Sequence, residues 1–404
     1  MKMMPCRLPL AILLLMVLFL TTCRPAPGIR LQPEQAPVPV PFPMRTGETF
    51  PDDLDLVSLE KALTASVRYY RNQGAFGSHC YRSRCYNSRE MIAGLERFLQ
   101  IMKSDLPAAA KEAAIREDFE LVEAGDSDED SVLVTGYYEP VLNGSLERTE
   151  RFRYPLYKPP EETVVVRLDE FGEKCGPGRL IGRLVEGEVL PHYTRREIDS
   201  EGALAGRGLE IAWVDDPVAL FSLHIQGSGK LRLADGRLMA VNFAQSNGRP
   251  FRGLTEMMAA RGLLGEGGRS YEEMKRVLNE RVAERQELMN YNERYIFFRF
   301  VSEGPIGALG FPLVPGRSIA TDLTLYPKGA LAVIRTRKPV FDTDGRIVSW
   351  QSFTRFVLNQ DTGAAIKGPG RVDLFCGQGP AAERAAGAMK EKGRLTFLLL
   401  KTGR

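Results

Sequence analysis

Between about residues 51 and 130, apolar positions recur at helical spacing. "LDLVSLEKALTASVRYYRNQ" and "SREMIAGLERFLQIMKS" both return to an apolar residue every three or four positions, and Ser88 stands where the second needs a cap. "AAAKEAAIREDFELVEA" is a third helix by propensity. The pattern changes near residue 131, where "SVLVTGYYEPVL" alternates apolar and polar residues and ends at proline. "YPLYKPP", "TVVVRLDEF", "LEIAWVDD" and "LFSLHIQGSGKLRLADGRLMAVNF" continue in strand-like fashion, and the Asp-Gly pair in "LADGRL" marks a hairpin. From about 251 to 290 the spacing is helical again, with Ser270 and Glu273 at capping-box distance. Strands then return in "YIFFRF", "SIATDL", "GALAVIRT", "SWQSFTRFVLNQD", "RVDLFCG" and "LTFLLLK", interrupted by the helix "PAAERAAGAMKEK".

Helix, strands, helix, strands fits an insertion better than two tandem domains. About six short strands with many turns tend to close into a barrel. The expected division assigns 51–130 and 247–404 to a barrel domain with N-terminal helices, and 131–246 to an inserted β domain. The natural site is a cleft between them.

The N-terminus bears on compartment. "MKMMPCRLPLAILLLMVLFLTTC" has Lys2 and Arg7 followed by an apolar run from Leu8 to Leu20, too short for a span and suited to a signal peptide over 1–22. "LTTC" resembles a bacterial lipobox in which Cys23 is lipidated, although Thr22 stands where a smaller residue is usual. Arg24 is not the aspartate associated with inner-membrane retention, so the expectation is an outer-membrane lipoprotein facing the periplasm, or a soluble periplasmic protein if Cys23 is unmodified. Residues 23–50 are proline-rich and read as an extended tether. Of the remaining cysteines, Cys80 and Cys85 can bridge locally in an oxidising compartment, and Cys175 and Cys376 have no evident partner.

Composition narrows the rest. Apolar residues make up 44% and charged residues 26% of the 404, so a folded core is expected. A net charge of +3 gives no case for nucleic acid. The histidines are His79, His192 and His224, with no His-x-x-x-His or Cys-x-x-Cys pair, so neither a metal nor another cofactor is expected. "GRSIA" lacks the last glycine of a nucleophile elbow, and Ser318 reads as structural.

Three aspartates stand out: Asp322 in "GRSIATD", Asp361 in "NQDTGAAIKG" and Asp373 in "GRVDLFCG". Asp322 fits a turn role. Asp373 sits between Val372 and Leu374, where a carboxylate must be hydrogen-bonded or functional because burying it unpaired is expensive. These features alone indicate a secreted β protein with clustered carboxylates.

"GYYEP", "YPLYKPP", "IQGSG", "ERYIFFRF", "GALGFPLVPGRSIATDLTLYPKGA", "DTGAAIKGPGRVDLFCGQGPAAERAAGAMK" and "GRLTFLLLK" resemble, in order, the membrane-bound lytic transglycosylase A family (MltA). The resemblance implies a mainly β fold with peripheral helices, a double-psi β-barrel carrying a three-aspartate signature plus an inserted β domain. It implies peptidoglycan strands as substrate and cleavage between N-acetylmuramic acid and N-acetylglucosamine to a 1,6-anhydro end. It also implies outer-membrane anchoring and contacts with cell-wall synthesis or division complexes. By the family pattern Asp373 is the acid-then-base, Asp361 its partner, and Asp322 a mainly structural residue at the edge of substrate binding. Lys367 and the glycines near it would shape the cleft floor, with Ala364 standing where the family usually has glycine. Thr135, Tyr137, Tyr138, Gln226 and Ser228 are candidates for holding sugar, though adjacent strand residues face opposite ways and only one of the two tyrosines should reach the cleft. The competing readings are an expansin-like glycan binder without activity and a water-using glycosidase with two carboxylates.

Overall fold

The computed structural model describes residues 50–401 except 82–83, 126–130, 172–177, 266–267 and 269. The expected signal peptide, Cys23, nearly all of the tether and Cys175 lie outside the described residues.

Helix Leu56–Asn72 begins at Asp55, whose carboxylate accepts from the Ser58 N–H at 2.7 Å. The hairpin β1 (Ser78–Tyr81) and β2 (Arg84–Asn87) places Cys80 opposite Cys85, and the two form a disulfide, as their spacing permitted. Helix Ser88–Lys103 starts from a capping box made by Asn87 and Glu90, so the cap lies one residue before the expected Ser88. Helix Ala108–Asp118 is shorter than propensity suggested. At Phe119 the chain becomes β3 (Phe119–Glu123), because pairing with the last strand buries Phe119 and Val122 and outweighs local helix preference.

β4 (Val132–Glu139) leads through Pro140 into β5 (Val141–Ser145), β6 (Tyr154–Tyr157), the meander β7 (Thr163–Arg167), β8 (Arg179–Val185) and β9 (Glu188–Pro191), and then β10 (Glu210–Val214). The segment Pro217–Gln226, read as strand-like from Leu220 onward, is a helix. Asp216 caps it by accepting from the Val218 and Ala219 N–H groups, and Pro217 occupies its first turn. β11 (Ser228–Arg232) and β12 (Leu238–Ser246) form the expected hairpin, with the Leu233 N–H donating to the Arg237 carbonyl at 2.9 Å across the Asp-Gly turn. After helices Leu254–Ala260, Tyr271–Glu280 and Arg285–Asn290 comes β13 (Ile296–Val301). Six of these strands make one sheet in the order β13-β12-β11-β5-β10-β6.

The remaining strands are β14 (Ser318–Ala320), β15 (Leu331–Phe341), β16 (Ile347–Asp361), β17 (Arg371–Gln378) and, after helix Gly379–Ala388, β18 (Lys390–Leu400). Their order is β15-β16-β14-β17-β4-β18, and β15 also pairs with β18, which closes a six-stranded barrel with β3 added outside. The mixture of parallel β14–β16 and β17–β4 pairs with antiparallel neighbours is the double-psi barrel of the expected fold class. Its core includes Val134, Ile319, Ile334, Phe356, Val372 and Phe397.

The sheets divide the chain at other points than expected. β4 lies beyond the boundary at 131 yet belongs to the barrel, and β13 lies beyond 246 yet belongs to the other sheet. The reason is pairing: β4 runs parallel to β17 over Leu133 to Tyr137, and β13 runs antiparallel to β12. The barrel thus has six strands, but β4 takes the place first given to "YIFFRF".

Candidate active site

Strand register assembles the site. Ala320 on β14 pairs with Asp361 on β16 and with Asp373 on β17, and Asp373 is level with Thr135 on β4. Strands lie about 4.8 Å apart, so the two aspartate backbones stand roughly 10 Å apart with a methyl group between them. In-register neighbours project from the same face. Two carboxylates separated by twelve residues are thereby turned toward one space over a small residue. The wall opposite is built by the second sheet and its helix Pro217–Gln226, and the cleft between has a volume of about 740 Å³.

Asp373 is half-buried in the floor. Removal from bulk water pushes its carboxyl up to about 7; the Thr135 hydroxyl and Arg371 pull the other way, and the nearby Asp361 adds to the rise. Thr135 Oγ1 donates to Asp373 Oδ1 at 3.0 Å. Asp361 is pushed up to about 6, again by burial, against donors that favour its charged form. Both of its oxygens are engaged: the Tyr137 hydroxyl donates to Oδ2 at 2.9 Å, and the Ala308 N–H donates to Oδ1 at 3.0 Å. The two acids therefore differ in kind. Asp361 is held by donors, whereas Asp373 has one hydroxyl contact and an oxygen left for the cleft.

Tyr137 lines the cleft with its ring against Phe375. Tyr138 also borders the cleft, contrary to the expectation that only one of the two would, but it is 4% exposed and directs its hydroxyl to Glu383 at 2.9 Å. Gly136, just before them, has no room for a side chain: a Cβ would lie 2.8 Å from the Ala386 backbone. Gln226 and Ser228 line the cleft, and Gln226 also accepts from the Tyr138 N–H at 3.2 Å, tying the second sheet to the barrel.

Thr135, Asp322 and Lys367 are not among the lining residues. Thr135 acts on Asp373 instead. Asp322, expected at the edge of substrate binding, is buried and works as a staple. It accepts from Thr324 Oγ1 at 2.7 Å and from the Gly368 N–H at 3.0 Å, which holds the loop after Asp361 in place. Despite its burial, these donors and Lys367 keep its carboxyl below the usual range. Lys367 itself is exposed. Gly368 adopts φ +81°, a conformation that only glycine holds without strain, to present that N–H. Ala364 needs no glycine: Glu186 is the only non-glycine with positive φ among the described residues. Ser318 is structural, fully buried and donating to Gln360 Oε1 at 2.7 Å.

Sequence reasoning missed Arg179, Phe243, Tyr271, Arg294 and Arg299, which also line the cleft. Two of them fall in or next to the quoted "ERYIFFRF", but nothing in spacing separates a cleft arginine from a solvated one.

A closed double-psi barrel that presents two burial-shifted carboxyl groups to a cleft walled by a second sheet defines a class of glycan-cleaving barrel enzymes. Residues 133–299 match the family described as the MltA specific insert domain, and residues 317–399 match the 3D domain. The membrane-bound lytic murein transglycosylase A of Vibrio cholerae is 30% identical over 282 residues, 69% of this chain and 68% of that one. The Escherichia coli K12 protein of the same name is 29% identical over 276 residues, 68% and 67% of the two chains. The crystal structure of a membrane-bound lytic murein transglycosylase from Agrobacterium tumefaciens superposes with a TM-score of 0.71 at 28% identity, covering 87% of this chain and 97% of that one. Escherichia coli MltA with bound chitohexaose shares the fold, with a TM-score of 0.64 at 22% identity over 87% and 95% of the chains. The chain belongs to the membrane-bound lytic murein transglycosylase A family.

Proposed function

We propose that the protein cleaves the β-1,4 bond between N-acetylmuramic acid and N-acetylglucosamine in peptidoglycan, with Asp373 as acid and then base. The observation that carries this reading is the Asp373 carboxyl: it lies in the cleft floor, and burial raises it to about 7, so it enters the reaction protonated near neutrality. It gives that proton to the glycosidic oxygen as the bond from the muramic anomeric carbon breaks. The resulting carboxylate takes the proton of the same sugar's C6 hydroxyl, whose oxygen closes on the anomeric carbon. One bond breaks, one forms, the proton count balances and no water is consumed. Supplying the nucleophile from the substrate itself gives a large effective concentration. Asp361, its oxygens fixed by Tyr137 and Ala308, is placed to stabilise positive charge at the ring.

A water-using glycosidase would ask Asp361 to take a proton from water. Its two oxygens already accept hydrogen bonds, which favours the single-acid route. The lining by Tyr137, Gln226 and Ser228 supports their role in holding sugar. We further propose attachment through Cys23 to the periplasmic face of the outer membrane. This is supported by the lipobox-like "LTTC" and by relatives named membrane-bound. The barrel and the inserted sheet would then act as two domains on a tether.

The test is an Asp373→Asn variant on purified peptidoglycan. Turnover is expected to fall by roughly 10³-fold with glycan binding retained. Near-full turnover in this variant would remove Asp373 from the chemistry.

A further inference from the structure

The two walls of the cleft differ in charge. The barrel side carries Asp361 and Asp373; the other side carries Arg179, Arg294 and Arg299. Register fixes one of these, since Arg299 on β13 stands opposite Asn242 on β12, itself a lining residue. Among the described residues, none of the three arginines has a carboxylate partner. Arg294 donates only to the Arg249 carbonyl, at 3.3 Å. Elsewhere among the described residues of the inserted region some arginines are paired, Arg151 with Asp215, Arg196 with Glu287 and Arg207 with Glu162, and others such as Arg153 and Arg232 are not; what sets the three apart is that they line the cleft. Arg294 is drawn out of water, which lowers its pKa and makes an anionic partner there favourable. A strand of neutral sugars offers such a wall nothing to neutralise. N-acetylmuramic acid does, because its 3-O-lactyl arm ends in a carboxylate or continues into a peptide that bears carboxylates. The planar guanidinium fork matches that group.

We infer that Arg179, Arg294 and Arg299 bind carboxylates carried on the lactyl arm of N-acetylmuramic acid, and so select muramic-acid strands over neutral glycans of the same backbone. This rests on the transglycosylase reading above and names what that site recognises besides sugar rings.

Calorimetric binding in an Asp373→Asn background tests it with three ligands of equal length: stem-peptide-bearing glycan, amidase-treated glycan with free lactyl carboxylates, and a chito-oligosaccharide. Adding R179Q and R299Q together is expected to weaken binding of the stem-bearing ligand by about tenfold and to leave the chito-oligosaccharide unmoved. Raised salt weakens the first ligand in the parent but much less in the double variant. Lysine at both positions recovers part of the loss. If amidase-treated glycan weakens equally, the lactyl carboxylate is the anion; if only stem-bearing glycan weakens, the peptide supplies it. Unchanged affinity for both muramic ligands, or equal weakening with the chito-oligosaccharide, overturns the inference. Turnover separates the two readings: an enzyme with Asp373 intact that forms no anhydro ends overturns the reaction, whereas lost carboxylate selectivity is a statement about the arginines alone.

Discussion

At the scale of single residues, one position departs from its surroundings and the chemistry gathers there. Asp373 breaks an apolar strand, and removal from water holds its carboxyl near 7 rather than in the usual carboxylate range. Asp361 is held near 6. If the first must be protonated and the second ionised, kcat/KM against pH should be a narrow bell with limbs near 7 and 6, apparent values that belong to the pair. Activity that stays flat to pH 9 would contradict it. The same shift has a stability consequence. A carboxyl whose native pKa lies above its unfolded value keeps its proton better when folded, so stability is greatest below about 4 and is lost as pH rises through 7. Asp373→Asn should therefore raise the unfolding free energy measured in urea at pH 8, by on the order of 1 kcal/mol once access to cleft water is allowed for, and leave it unchanged at pH 4. An equal change at both pH values would mean that the effect is not ionisation. Asp373 was legible in the sequence because a carboxylate flanked by Val372 and Leu374 demands an explanation. The role of Thr135 was not, since its contact with Asp373 depends on a parallel pairing across 238 residues of chain.

At the scale of elements, the short strand β14 is decisive. Three residues wedged between β16 and β17 bring Asp361 and Asp373 to either side of Ala320. Nothing in the periodicity of "SIATDL" announces that placement. The loop after Asp361 lines the cleft and is pinned by Asp322 through Gly368. Asp322→Ala should cost about 1–3 kcal/mol of stability and lower kcat/KM roughly tenfold while the pH limbs stay in place. Displaced limbs, or a loss as deep as that of Asp373→Asn, would move Asp322 into the chemistry. Two elements were misread for definable reasons. "LFSLHIQ" is mostly apolar and shows no clear helical period, so the cue lay outside it, in Asp216 and Pro217. "FELVE" follows a strong helix former and becomes strand only because β18 is there to pair with it.

At the scale of the whole molecule, the alternation of helical and strand-like blocks was enough to anticipate a barrel with an insertion. It could not place the crossings, because β4 and β13 are each equally good strands for either sheet and only long-range pairing assigns them. The consequence is functional: β4 starts in the barrel beside Asp373 and leaves it at Pro140 for the second sheet, so one strand carries both the Asp373 contact and a wall of the cleft. A glycan lying in that cleft meets acids on one side and arginines on the other. Bond cleavage there is proposed to consume no water. This is tested most directly by digesting purified peptidoglycan with the full-length protein and analysing the soluble products by mass spectrometry. Muropeptides ending in 1,6-anhydro-N-acetylmuramic acid are expected, absent with Asp373→Asn; reducing ends 18 Da heavier, formed by water attack, would mean a hydrolase instead.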